Sequence, residues 1–276
     1  MKKLIYLLMS LSLVAFMSCE DDKENASSNG GSSGHTGTEN GHEYVDLGLP
    51  SGTKWATCNV GASEPGEYGK YYAWGETTTK STYNKESYDY FAPYGGNYSF
   101  KYGAGYTKYC TEYDYSYDPY RGSSMASDWM VDNKTTLDLE DDAAYVNWGG
   151  KWRMPTMEQL DELFNECYVV WTENYNNSTG VIFYKAKSTS DKGVFVSSYD
   201  TSSSSYTLSD VHIFLPAAGG YGKQLWGNEE FVYCWASSLL ASNMTCAEAL
   251  VIRRAARDYG QGDYRYLGHP VRAVFK

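Results

Sequence analysis

The sequence predicts an α+β domain with two main helices and many short antiparallel strands. Three observations carry this. Met157, Leu160, Leu163, Phe164 and Cys167 recur at helical spacing, so one face of that stretch is apolar and must be buried. The chain around it breaks into short runs rich in Val, Ile, Tyr and Trp, separated by Gly, Pro, Asn and Ser, the pattern of strands and turns. The 28 Tyr and 27 Gly in 276 residues point the same way, because Tyr suits a pleated sheet and also supplies stiff, amphipathic contact area. The length allows one large domain or two small ones, and 8 Trp with 42% hydrophobic residues suffice for a sizeable core. A net charge of -11 opposes binding to phosphate backbones, so no nucleic-acid partner is expected.

Residues 1–18 carry Lys2 and Lys3 ahead of an apolar run that is too short to span a membrane, as in a secretory signal peptide. Phe16-Met17-Ser18-Cys19 resembles a bacterial lipobox with Phe16 in place of the usual Leu, which makes Cys19 the expected lipidation site. Acyl chains there would supply membrane affinity at ~0.8 kcal/mol per buried CH₂. Residues 19–41 begin with Glu20-Asp21-Asp22 and continue in Ser, Gly, Asn and Thr without apolar periodicity, so they form a flexible tether. Its polar part reaches roughly 25 Å as a random coil.

The folded part is expected over 42–276. Tyr44 to Leu47 and Lys54 to Asn59 read as strands around a Pro50-Ser51-Gly52 turn, and Tyr68 to Glu76 as another. An insert at about 78–136 follows, with 12 Tyr between Tyr83 and Tyr120. It lacks sustained periodicity and reads as long loops, offering either a Tyr-rich recognition surface or aromatics packed on themselves. Leu137 to Asn147 is predicted helical, with Asp138 as N-cap and Glu140, Asp141 and Asp142 complementing the helix dipole. Gly149-Gly150 supplies a tight turn, Lys151 to Met154 a short strand, and Pro155 a stop. Thr156 and Gln159 then form a capping box for the amphipathic helix. Arg153 fits a buried structural role and a ligand contact equally well. Strands are predicted at Tyr168 to Thr172, Val181 to Lys187, Gly193 to Ser197, Val211 to Leu215, Tyr233 to Leu239, Cys246 to Ile252 and Pro270 to Phe275.

The run from Glu43 to Ala62, then Tyr71 to Thr77, Asp141 to Thr156, Ile213 to Gly219, Tyr233 to Leu239 and Gly268 to Val274 resembles the Fibrobacter-type major paralogous domain of Bacteroidetes lipoproteins. That family is similar in turn to the formylglycine-generating, sulfatase-modifying group, and Trp152-Arg153-Met154-Pro155-Thr156 carries most of the link. The resemblance spans 42–276 apart from the insert. It implies a C-type-lectin-like domain on an outer-membrane lipoprotein whose lipid anchor leaves it facing the cell exterior. It implies little about activity. Glu20-Asp21-Asp22 resembles the export signal of such surface lipoproteins. Cys58 and Cys167, in two family-like blocks, are the first choice for a disulfide. Lectin-like folds often use calcium, to which Glu140, Asp141 and Asp142 could contribute, although their spacing is not that of an EF-hand; no cofactor is otherwise expected. The oxidases of the group need two closely spaced Cys as a copper site, whereas Cys234 and Cys246 lie in different predicted strands.

Motifs for other chemistry are missing. His35, His42, His212 and His269 have no zinc spacing. No GxSxG elbow, P-loop or dinucleotide fingerprint occurs, and His212 beside Asp210 is the one local hint of a positioned base. The segment 253–265 stands out instead, with four of the chain's 23 basic residues in an acidic protein. It is expected to be a ligand-contacting loop bearing Arg253, Arg254, Arg257, Asp258, Tyr259, Asp263 and Tyr264. It resembles the variable segment of lectin-like proteins diversified by a retroelement. The expected function is therefore non-catalytic binding of an extracellular glycan or protein. The alternatives are a diversified C-terminal binding loop, and an oxidase of the formylglycine-generating type or a hydrolase.

Overall fold

A two-residue turn opens the described part of the chain. Asn40 and Gly41 both take positive φ, 46° and 81°, which suits a hairpin turn whose twist matches its strands. It joins β1 (Gly37–Glu39) to β2 (His42–Val45). The structure is a computed structural model that describes residues 37–92, 105–111, 131–197, 205–258 and 262–276. The elements continue as β3 (Lys54–Ala56), β4 (Phe91–Ala92), β5 (Gly105–Tyr106), α1 (Ala143–Trp148) and α2 (Met157–Glu166). Then come β6 (Cys167–Tyr175), β7 (Ser178–Lys185), β8 (Phe195–Val196), β9 (His212–Pro216), β10 (Gly220–Tyr221) and β11 (Leu225–Trp226). The chain closes through β12 (Phe231–Leu239), β13 (Cys246–Arg253), β14 (Ala256–Asp258), β15 (Asp263–Tyr264) and β16 (Val274–Phe275).

These strands form an α+β fold with three four-stranded sheets. The first has the order β1-β2-β3-β16, and the second β8-β6-β7-β9. In the third, β12 pairs β13, and β14 and β15 both pair β13. Every strand pairing among the described residues is antiparallel except β6 with β8.

Helix α2 forms where the spacing predicted. The Thr156 side chain accepts the Gln159 amide and the Gln159 side chain accepts the Thr156 amide. Its buried residues Leu160, Leu163 and Phe164 pack with Val169, Phe183, Leu215, Leu250 and Ile252 in a largely aliphatic core. Each contributes about 1.5–3 kcal/mol by leaving water. A second, aromatic core holds Trp74, Trp152, Trp235, Tyr88, Tyr106 and Tyr109. Period-2 alternation makes β13 a wall shared by both, since Leu250 and Ile252 face the first core and Ala249 and Val251 the second.

Several elements differ from expectation for identifiable reasons. β1 falls within the stretch read as tether, and its hairpin covers the Trp148–Trp152 turn: the Trp152 indole donates to Glu39 O at 2.8 Å and His42 stacks on Trp148 at 4.0 Å. Tyr68 to Glu76 is not a strand; it has a single bridge, Tyr72 to His269. Lys151 to Met154 likewise has one bridge, Arg153 to Val274. The helix predicted from Leu137 starts at Ala143, and Asp142 rather than Asp138 caps it, accepting the amides of Ala144 and Tyr145. The Asp142 carboxylate also accepts the Met154 amide at 2.9 Å, and its burial raises its pKa. Only Val274–Phe275 of the predicted last strand pairs as one. In the insert, four of the five described tyrosines, Tyr83, Tyr88, Tyr106 and Tyr109, are buried in the aromatic core, and the fifth, Tyr90, packs half-buried against it. The rest of the insert's tyrosine run, at 93–104 and 112–130, lies outside the described residues.

Two arginines hold the domain together from inside. Arg272 is fully buried; it donates to Ala56 O, Thr57 O and Phe214 O at 3.0, 3.2 and 2.8 Å, and to Asn59 Oδ1 at 2.9 Å. Arg265, also fully buried, ties the insert to the C-terminal segment through Tyr88, Lys108 and Tyr109.

Candidate functional site

The segment 253–265 is not one loop. After a turn at Arg254 and Ala255, β14 runs back along β13, with Ala256 opposite Arg253 and Asp258 opposite Val251. Further on, β15 pairs with the opposite end of β13, Tyr264 opposite Cys246. Seven positions of β13 separate Arg253 from Cys246, roughly 23 Å at ~3.3 Å per residue. The six described members of the expected contact set therefore divide between two ends of a strand, Arg253, Arg254, Arg257 and Asp258 at one and Asp263 and Tyr264 at the other.

Most of those described are engaged within the protein. Arg257 lies opposite Ile252, on the face that meets α2. It is buried there, paired with Asp161 and 4.7 Å above the Phe164 ring, so it braces the helix and cannot meet a ligand. Arg254 pairs with Glu173 of β6 at 3.0 Å. Asp263 accepts from or pairs with His269 Nε2 at 3.0 Å, and the His269 ring stacks on Tyr233 at 4.3 Å. Tyr264 is 48% exposed and stacks on Tyr266 at 5.2 Å. Arg253 is exposed at the turn. Tyr259 and the Asp258 side chain lie outside what the structure describes, as does Cys19.

The acidic and thiol groups are similarly placed. Carboxylate oxygens of Asp138, Glu140 and Asp141 lie within 4.8 Å of one another. Lys108 Nζ sits among them, 3.6 Å from Asp138, 3.2 Å from Glu140 and in contact with Asp141, so an ammonium supplies their countercharge. Asp142 points inward as the α1 cap and is no part of this cluster. The disulfide expected between Cys58 and Cys167 is not formed; both are free. Cys167 is sealed at the start of β6 under α2, where burial pushes its thiol well up. Cys58 lies in a turn after β3, its Sγ 3.6 Å from Ala62 O. Cys234 stands opposite Leu250, four positions along β13 from Cys246, or roughly 13 Å at strand spacing. Burial raises Cys234 to about 11. Arg153 caps its own turn, donating to Trp152 O at 2.5 Å with its guanidinium 4.2 Å over the Tyr145 ring.

The structure places an open cleft of about 480 Å³ elsewhere, lined by Glu67, Tyr68, Asn177, Ser178, Thr179 and Glu229, with glycines at 61, 66 and 69. One wall is the tip of the β6–β7 hairpin, where Asn176 and Asn177 take φ of 50° and 68° between the paired Tyr175 and Ser178. Asn tolerates this left-handed conformation better than most residues. Ser178 Oγ donates to Gly66 O at 3.1 Å and pins that tip to the opposite wall. The 61–69 loop is held from below: Arg272 bonds Asn59, and Asn59 Nδ2 donates to Tyr68 O at 2.9 Å. Gly69 takes φ +75°, and a Cβ there would meet Val60 O at 2.8 Å. The third wall is the turn before β12, where Glu229 adopts φ +65°. Non-glycine residues rarely adopt this conformation, which costs roughly 1–3 kcal/mol and clusters at functional sites.

The carboxylate of Glu67 is pre-arranged. Its Oε2 accepts from Ser63 N, Ser63 Oγ and Glu64 N at 2.8, 3.0 and 3.3 Å, bonds that hold it below the usual range. The Arg253–Arg254 turn stands at the same end of the strands as the cleft. Arg253 opposes Phe231, two residues after Glu229, and Arg254 pairs with Glu173, just ahead of the β6–β7 tip. Sequence reasoning missed this cleft. Asn176-Asn177 and the glycines of 61–69 were legible as turns, but nothing local showed that they face one another. Comparisons of the chain with family models, curated proteins and solved structures return no match.

Proposed function

We propose that this chain is a lipid-anchored binding protein, acylated at Cys19 and facing the exterior of an outer membrane, whose domain is of the C-type-lectin-like kind. It engages an extracellular glycan or protein without performing chemistry on it. The observation that carries this is the open cleft at the shared end of β6, β7, β12 and β13. Its size falls within the ~300–1,000 Å³ of ordinary ligand sites, and its walls are carboxylates, an amide, hydroxyls and one tyrosine held on rigid turns. Such groups recognise polar partners; among the described residues lining it there is no histidine or cysteine. The test is to present the full chain, purified in detergent, to arrays of glycans and of cell-surface proteins. Saturable binding to at least one is expected. Binding to none refutes the proposal.

A further inference from the structure

We infer that the cleft between the β6–β7 tip, the 61–69 loop and the Glu229 turn binds a neutral saccharide. This rests on the extracellular-binding function proposed above and names the ligand class for that site.

The argument begins with what the walls still have to offer. All three bonds to Glu67 fall on Oε2, so Oε1 accepts none of them. Glu67 stays ionised well into the acidic range because those bonds favour the carboxylate. Glu229 is exposed on the facing turn, where its main chain is fixed by a bond from its amide to Ala217 O at 2.7 Å. A carboxylate is an acceptor of several hydrogen bonds and never a donor when ionised. The matching ligand surface is therefore a set of donors, and closely spaced hydroxyls supply it. The Asn177 amide can both donate and accept, as can the Thr179 hydroxyl, which fits groups that are donor and acceptor at once. The Tyr68 ring, half-buried and held by its carbonyl to Asn59, adds one flat apolar surface suited to the C–H face of a sugar ring.

The same residues disfavour other ligands. Among the described residues no lysine or arginine lines the cleft, so a sialylated, uronic or sulfated sugar would bring its negative charge against the two carboxylates with no cation among the lining groups. An apolar ligand would bury against one tyrosine and desolvate the remaining polar groups unpaired, which is costly. The cleft is preformed by backbone features: the paired left-handed asparagines, the Gly69 contact and the left-handed Glu229. Such preorganisation lowers the ordering cost that weakens shallow polar sites. Glu229 is the sharpest sign, because glycine would hold that backbone without strain but would carry no carboxylate.

The experiment compares the full chain in detergent with its Tyr68→Ala and Glu229→Gly variants on a panel of neutral, amino, sialylated and sulfated glycans together with cell-surface proteins. Each hit is then titrated in solution. The expected result is binding to one or more neutral glycans, weakened at least ten-fold by each substitution. The melting temperature of Glu229→Gly should be no lower than the parent's, so its loss of binding is not a loss of fold. Neutral-glycan binding that both variants retain overturns the assignment of this cleft. Hits confined to amino or acidic glycans or to proteins overturn the neutral-saccharide class while leaving extracellular binding intact. Absence of any hit removes both proposals.

Discussion

Replacing Arg265→Met should destabilise the domain severely, and the structure gives the size. The guanidinium is fully buried and donates to Tyr88 Oη, Tyr109 O, Met244 O and Lys108 O at 2.9, 2.9, 3.3 and 2.6 Å. The rings of Tyr106, Trp74 and Tyr88 stand 4.4, 5.3 and 5.4 Å from its central carbon. Methionine keeps much of the stem but leaves these acceptors without a donor. Hydrogen bonds from a charged group are worth about 1.5–3 kcal/mol each, offset by the cost of holding a cation away from water. The net penalty for removing one side of such an arrangement is about 3–5 kcal/mol. At roughly 2–4 °C per kcal/mol for a domain of this size, the melting temperature should fall by about 6–20 °C, followed by circular dichroism. Arg265→Lys should rescue little, because an ammonium cannot reproduce the planar fork that spans four acceptors. A drop of less than about 2 °C for Arg265→Met would show that the insert is not clamped through this residue.

Two further outcomes follow from the thiols and the histidines. With intact protein under denaturant-free conditions, a thiol reagent should modify the partly exposed Cys58 first, while Cys167 and Cys234 react only on unfolding, because both are buried with raised pKa values; a mass showing an intramolecular disulfide among these would contradict it. His212 bonds Asp210 O through Nδ1 at 2.7 Å and faces Tyr175 Oη at 3.2 Å through Nε2, and burial lowers its pKa, as it does for His42. Each folded-state pKa lies below the unfolded value of about 6.5, so the unfolded chain takes up protons first and stability falls as the pH drops below that value, by at most ~1.4 kcal/mol per unit per group. Melting temperatures measured from pH 7 to 5 should show this decline, with a shallower slope in His212→Gln; identical slopes would rule out His212 as a source.

The parts of the fold that were legible in the sequence are those decided locally. Thr156 and Gln159 announce a helix start because both partners of the cap lie within one turn, and the apolar spacing behind them fixes the buried face. The cores of β6, β7, β9, β12 and β13 were visible as apolar runs, although their ends shifted by a few residues because pairing partners, not propensity, decide where a strand stops. Asn40-Gly41 is a strong hairpin signal that was hidden by the polar residues around it. Asp138 looked the better cap, but Asp142 has a second task at Met154 that only the folded turn supplies. The expectation of a single exposed loop over 253–265 missed the inward placement of two of its arginines for a similar reason. Arg257 and Arg265 look solvent-seeking in a list of residues, yet strand register turns Arg257 toward α2, and Arg265 finds carbonyls contributed from far along the chain. The cleft was illegible because its three walls come from segments more than forty residues apart, two of them tied together only in the fold by Ser178 and Gly66.

The first sheet has a consequence for the order of events during synthesis. It unites the earliest described strand with the last, in the order β1-β2-β3-β16. Arg272 reaches back 216 residues to Ala56 and 213 to Asn59, and Arg153 bridges Val274. A chain emerging from its N-terminus therefore lacks the keystone of both the first sheet and the cleft loop until Arg272 and Val274 appear. Contacts of such long range are slow to form, so the nascent domain stays unlocked while most of it is already made.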